Sequence, residues 1–272
     1  MANIHPEHSH YKHPFPEEKV REGQPPRCVD GRPAENSLYG PQMLGGSLHP
    51  VLLYLIQNNL DFNKDNALMG FKKLQDTGHT LGFHRGSHYN PENAKSDCGM
   101  ADNLPFILQT ALQKKDSILQ QLHTVFQTNE MVQNLFNKNE TLFSKHILEH
   151  SYSIMETYGT NRVTFNGDAL MKAVEEDPDL NVYIEVVEGD HKEEKAVLNL
   201  KEDVTLNRIE LNEEYDKQAF NLDIKHAIKQ AESLGVESKF AIGSSLILYV
   251  AAKIVLAEKD PAQDPLPIEV HS

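Results

Sequence analysis

The 272-residue chain has no tryptophan and only two cysteines, Cys28 and Cys98. Two cysteines in so long a chain cannot build a disulfide framework. Basic residues are also short, with 26 Lys and Arg against 40 Asp and Glu and a formal net charge of −14. Phosphate backbones and anionic membrane surfaces both attract basic surfaces, so this balance argues against a nucleic-acid or membrane partner. Long apolar runs are scarce as well. The one extended stretch, Phe240 to Ala257, contains Gly243, Ser244, Ser245 and Lys253 and predicts a buried helix rather than a membrane span. The opening Met1-Ala2-Asn3-Ile4-His5-Pro6 lacks the apolar core of a signal peptide. With cysteines expected to stay reduced, this predicts a cytoplasmic protein. There is no Gly-x-Gly-x-x-Gly run, no phosphate loop and no internal repeat.

What is present centres on the two cysteines. Cys28 opens Cys28-Val29-Asp30-Gly31-Arg32, and Cys98 follows His88 by ten residues. Two thiolates and an imidazole fill three of zinc's four tetrahedral positions and leave one for water, the pattern of a catalytic rather than a structural site. Cys28 and His88 are about sixty residues apart, so a folded domain must bring them together. In an extended segment Cys28, Asp30 and Arg32 share one face. Arg32 can then hold Asp30 ionised through a bidentate contact. Asp30 can accept the proton of a metal-bound water, or occupy the open metal position itself. The plain alternative is an ion pair at a turn beside an inert buried cysteine.

These residues carry a resemblance. Cys28-x-Asp30-x-Arg32, the Leu44-Gly45-Gly46-Ser47 segment, Thr80-Leu81-Gly82-Phe83-His84, and His88 followed by Cys98-Gly99 resemble the β-type carbonic anhydrase superfamily. The long spacing from His88 to Cys98 is similar to the cadmium-type (zeta) carbonic anhydrases and their small prokaryotic relatives. Asp97-Cys98-Gly99-Met100-Ala101-Asp102-Asn103-Leu104-Pro105 resembles a block of that group, and so does Glu188-Gly189-Asp190-His191-Lys192-Glu193. The likeness covers roughly residues 25–255. It implies Cys28, His88 and Cys98 as metal ligands and Asp30 and Arg32 as the catalytic pair. His84, Gly45, Gly46 and Asp97 would lie around them. Arg85-Gly86-Ser87 stands where relatives tend to carry an acidic residue, and Asp97 stands where they carry glycine.

The resemblance also implies an α/β fold, a central and mostly parallel β-sheet flanked by helices. Periodicity predicts strands at about 27–32, 80–84, 181–187 and 195–200, with a short one at 162–165, and makes the 181–187 and 195–200 pair a hairpin. It predicts helices from Ser47 (as cap), at 64–76, 104–126, 130–137, 140–158, 168–176, 216–234 and 239–258. Residues 1–24 read as a flexible arm, 25–260 as one catalytic domain and 261–272 as a tail. His79, His123, His146, His150 and His226 read as surface or core histidines, because none has a partner at ligand spacing.

The function that follows is reversible hydration of carbon dioxide to bicarbonate by a metal-bound hydroxide, since zinc brings the pKa of bound water toward neutrality. Zn²⁺ is the expected ion, with Cd²⁺ or Co²⁺ as substitutes, because soft thiolates accept either. A small neutral substrate explains the missing nucleotide site, and the resemblance allows a homodimer. Two alternatives stay open. One is hydrolysis of carbonyl sulfide or carbon disulfide on the same fold; the other is a zinc-holding protein without turnover.

Overall fold

Helix α1 (Leu48–Gln57) is buried at Leu48, His49, Pro50, Val51, Leu52, Leu53, Leu55 and Ile56, so nearly every side faces protein. A helix apolar all round must sit inside the fold. Helix α2 (Lys64–Asp76) shows the opposite pattern. It buries Ala67, Gly70, Phe71 and Leu74 on one stripe, and the Asn63 side chain caps it by accepting from the Asn66 N–H at 2.9 Å. The computed structural model describes residues 25–28, 41–85, 99–128, 133–134, 141–164, 167–188, 193–199, 206–209, 222–259 and 270–271.

The other helices are α3 (Gly99–Asp102), α4 (Leu104–Gln113), α5 (Lys115–Thr128), α6 (Thr141–Tyr158), α7 (Gly167–Glu176), α8 (Ile224–Ser233) and α9 (Ser238–Lys259). The strands are β1 (Arg27–Cys28), β2 (Gln42–Met43), β3 (Leu81–Arg85), β4 (Val182–Glu188), β5 (Glu193–Asn199), β6 (Leu206–Ile209), β7 (Leu222–Asp223) and β8 (Val270–His271). Helix α9 takes the centre, with α1, α4, α5, α6 and α8 packed on it. Its Ser238–Val255 window is long and apolar enough to cross a membrane, yet 72% of it is buried inside this fold. Phe71 of α2 meets Phe83 of β3 edge-on, with ring centroids 4.9 Å apart, and fixes that strand to the helical core.

The central, mostly parallel sheet is corrected by this architecture. Among the described residues the fold is mostly helical. The four-stranded sheet runs β3-β4-β5-β6; only β3 and β4 pair parallel, whereas β4/β5 and β5/β6 are antiparallel. Strands β1/β2 and β7/β8 are separate two-residue parallel pairs. The physical reason lies in α9. A helix buried along most of its length needs other helices around it and takes the place a sheet would hold.

Local readings shift too. The apolar run from Leu104 to Phe126 is two helices, broken at Lys114. The segment expected as a strand at 162–165 contributes a single bridge, Val163 to Phe62. The helix expected from 216 begins at Ile224, after β7. Ser47 occupies the N-cap of α1 without capping it, because its backbone is already helical and its hydroxyl is engaged elsewhere.

Candidate metal centre

The turn between β2 and α1 organises the region around Cys28. Gly45 and Gly46 adopt φ of 68° and 60°, the left-handed region that suits glycine. A Cβ on Gly46 would collide with the Gly82 carbonyl, and a Cβ on Gly82 would collide with the Pro26 carbonyl. Three backbones, the turn, β3 and the lead-in to β1, therefore meet where only glycine fits. Ser47 locks the contact in both directions. Its N–H donates to the Gly82 carbonyl at 2.9 Å, and its Oγ accepts from the Gly82 N–H at 2.9 Å.

Below the turn lies His49, with no solvent exposure. The Leu44 N–H donates to its Nδ1 at 3.3 Å, so that nitrogen carries no proton. The proton then sits on Nε2, which donates to Ser245 Oγ on α9 at 2.9 Å. Burial pushes the imidazole pKa down to about 3, so the ring is neutral. On the other flank the buried Asp223 carboxylate accepts from the Gln42 N–H at 2.6 Å and pins the start of β2.

Cys28 closes β1 and is fully buried, a thiol rather than half of a disulfide. Two residues before it, Pro26 abuts Gly82 of β3. Two residues beyond Gly82 comes His84, whose backbone pairs with Glu185 of β4. The chain leaves β3 at Arg85 and returns at α3, directly after Cys98, where Met100 and Ala101 are buried. Both flanks of the segment bearing His88 and Cys98 are thus anchored, and one starts beside the strand that carries Cys28.

Asp30, Arg32, His88, Asp97 and Cys98 lie outside the described residues, as do His191 and the arm at 1–24. Among the described residues no group of three His, Cys, Asp or Glu side chains is placed to hold a metal ion. A donor set of that kind would therefore include residues outside the described ones. A buried thiol is a fitting soft donor for a divalent transition metal. Gly46, Gly82 and Pro26 meet just before β1, and Cys28, paired with Met43 of β2, closes that strand.

Sequence reasoning passed over His49, Ser245 and Asp223. A histidine at the second position of an apolar helix, just after a Gly-Gly pair, was the available signal. Ser245 and Asp223 are distant in sequence and gave none. No protein-family model matches the chain, and no curated protein or solved structure is significantly similar to it.

Proposed function

We propose that the chain is a metal-dependent carbonic anhydrase that hydrates carbon dioxide to bicarbonate. The observation that carries this reading is the junction of β1 and β3. It sets the buried Cys28 beside the strand that leads into His88 and Cys98. The motif resemblance supplies the rest. Cys28, His88 and Cys98 would hold the ion, and the bound ion would supply the Lewis acidity that activates water at neutral pH. Asp30 would take the proton released when water adds to carbon dioxide, leaving bicarbonate. Arg32 would keep Asp30 ionised and turned toward that proton.

Metal content and turnover test the reading together. Wild-type protein from zinc-supplemented culture is expected to hold one zinc per chain and to hydrate carbon dioxide in stopped flow. The Cys28→Ser, Cys98→Ser double variant is expected to lose both. Stoichiometric zinc in the double variant overturns the ligand assignment. Stoichiometric zinc in the wild type without hydration, across neutral and alkaline pH, overturns the activity.

A further inference from the structure

We propose that His49 is a positioning residue, which fixes the Leu44–Ser47 turn through its Nδ1 and thereby sets β3 against the strand that carries Cys28. Its functional meaning rests on the proposed metal centre, although its geometry stands without it. The path is short and each link is a named contact. Ser245 on the central helix accepts from Nε2 and orients the ring. The ring accepts the Leu44 N–H, one residue before the two left-handed glycines. The Gly46 N–H donates to the Met43 carbonyl at 3.0 Å and closes the turn onto β2. Ser47 then grips Gly82 through two hydrogen bonds, and Gly82 abuts Pro26.

The chemistry of the ring suits this task better than catalysis. A fully buried neutral imidazole with both nitrogens engaged has no proton to exchange with solvent and no lone pair for a metal. An acceptor and a donor on opposite sides of one rigid ring bridge a backbone N–H to a hydroxyl, a pairing no apolar side chain provides.

The test uses two amide replacements that each keep one half of the ring's bonding. The shorter amide of His49→Asn places a carbonyl near the Nδ1 position, and the longer one of His49→Gln places an amide nitrogen near Nε2. The readout is hydrogen exchange on the metal-free full chain. H49Q is expected to lose about tenfold protection at both residues 44–47 and 81–85, the equivalent of one hydrogen bond. H49N, which keeps the acceptor but not the Ser245 anchor, is expected to lose less at both segments. Loss confined to 44–47 overturns the proposal, because the turn then does not control β3. An equal fall across the whole chain in both variants also overturns it, because the ring then only fills space. Should H49Q fail to fold, S245A carries the test. Freed of its anchor, the ring is expected to lower protection at the same two segments, and unchanged exchange there refutes the idea. Co²⁺ titration adds a separate arm. Absence of thiolate–Co²⁺ charge-transfer absorption in wild-type protein sinks the metal centre, while exchange still judges His49.

Discussion

The bundle around α9 and the turn between β2 and α1 are both buried, but different forces hold them. In the bundle, Phe240, Ala241, Leu246, Ile247, Leu248, Tyr249 and Val250 are sealed by apolar neighbours from several helices. Such packing is non-directional, and its strength is spread over many weak contacts. In the turn, a few directional contacts do the work: Leu44 to His49, His49 to Ser245, and Ser47 to Gly82. Shape errors should hurt the bundle most, whereas lost partners and changes of protonation should hurt the turn.

The largest effect is expected where two helices touch most closely. A Cβ on Gly243 of α9 would strike the Ser151 hydroxyl and come within 3.0 Å of the Ile147 carbonyl, both on α6. The Ile147 carbonyl belongs to the helix backbone, so it cannot rotate aside. Gly243→Val is predicted to destabilise the protein by about 3 kcal/mol, the upper range for overpacking a tight core. Urea unfolding checks it. A change below about 1 kcal/mol would show that α6 and α9 slide apart easily, and the contrast with the turn would collapse.

An intermediate effect belongs to the turn and depends on pH. Folded His49 resists protonation down to about 3, against an ordinary value of 6.5. Below 6.5 the unfolded chain takes up a proton that the folded chain refuses, so stability falls as pH falls through that window and is fully present above it. The loss is about 2 kcal/mol between about pH 8 and about pH 5, over and above what the carboxylates contribute. H49N lacks this term. Its unfolding free energy should therefore fall less steeply across the same range, by about one proton. Parallel curves for the two proteins would mean that the ring is reached by water.

The same contrast explains what could be read from the sequence. Helices α2, α6 and α7 follow visible apolar periods and caps, and the readings 64–76, 140–158 and 168–176 fall within one residue of their ends. The hairpin expected between 181–187 and 195–200 appears as β4 and β5. The global layout was not legible. The resemblance implied a central, mostly parallel sheet, but β1 and β3 form no ladder among the described residues, and α9 takes the centre. An apolar helix announces that it is buried without saying what surrounds it. At the candidate site the gap is of another kind. Cysteine spacing suggests candidate donors, whereas the groups that hold the turn are a histidine, a serine and an aspartate paired across as many as 196 and 181 positions. No local pattern encodes such pairs.

The smallest expected effect probes the bundle from the opposite side. Tyr152 on α6 is fully buried, and its hydroxyl has no hydrogen-bond partner among the described residues. Burial raises the phenol pKa well above its usual value, so the group stays neutral but remains a desolvated polar atom. A buried hydroxyl without a partner costs free energy. The Lys115 ammonium lies 4.8 Å from the centre of the ring, and phenylalanine would keep that contact. Tyr152→Phe is therefore predicted to leave stability unchanged or raise it by up to about 1 kcal/mol, read as a higher urea midpoint at unchanged slope. A loss of about 1 kcal/mol or more would reveal a partner for that hydroxyl. The bundle would then depend on a directional contact of the kind that holds the turn, and the division between the two regions would have to be redrawn at α6.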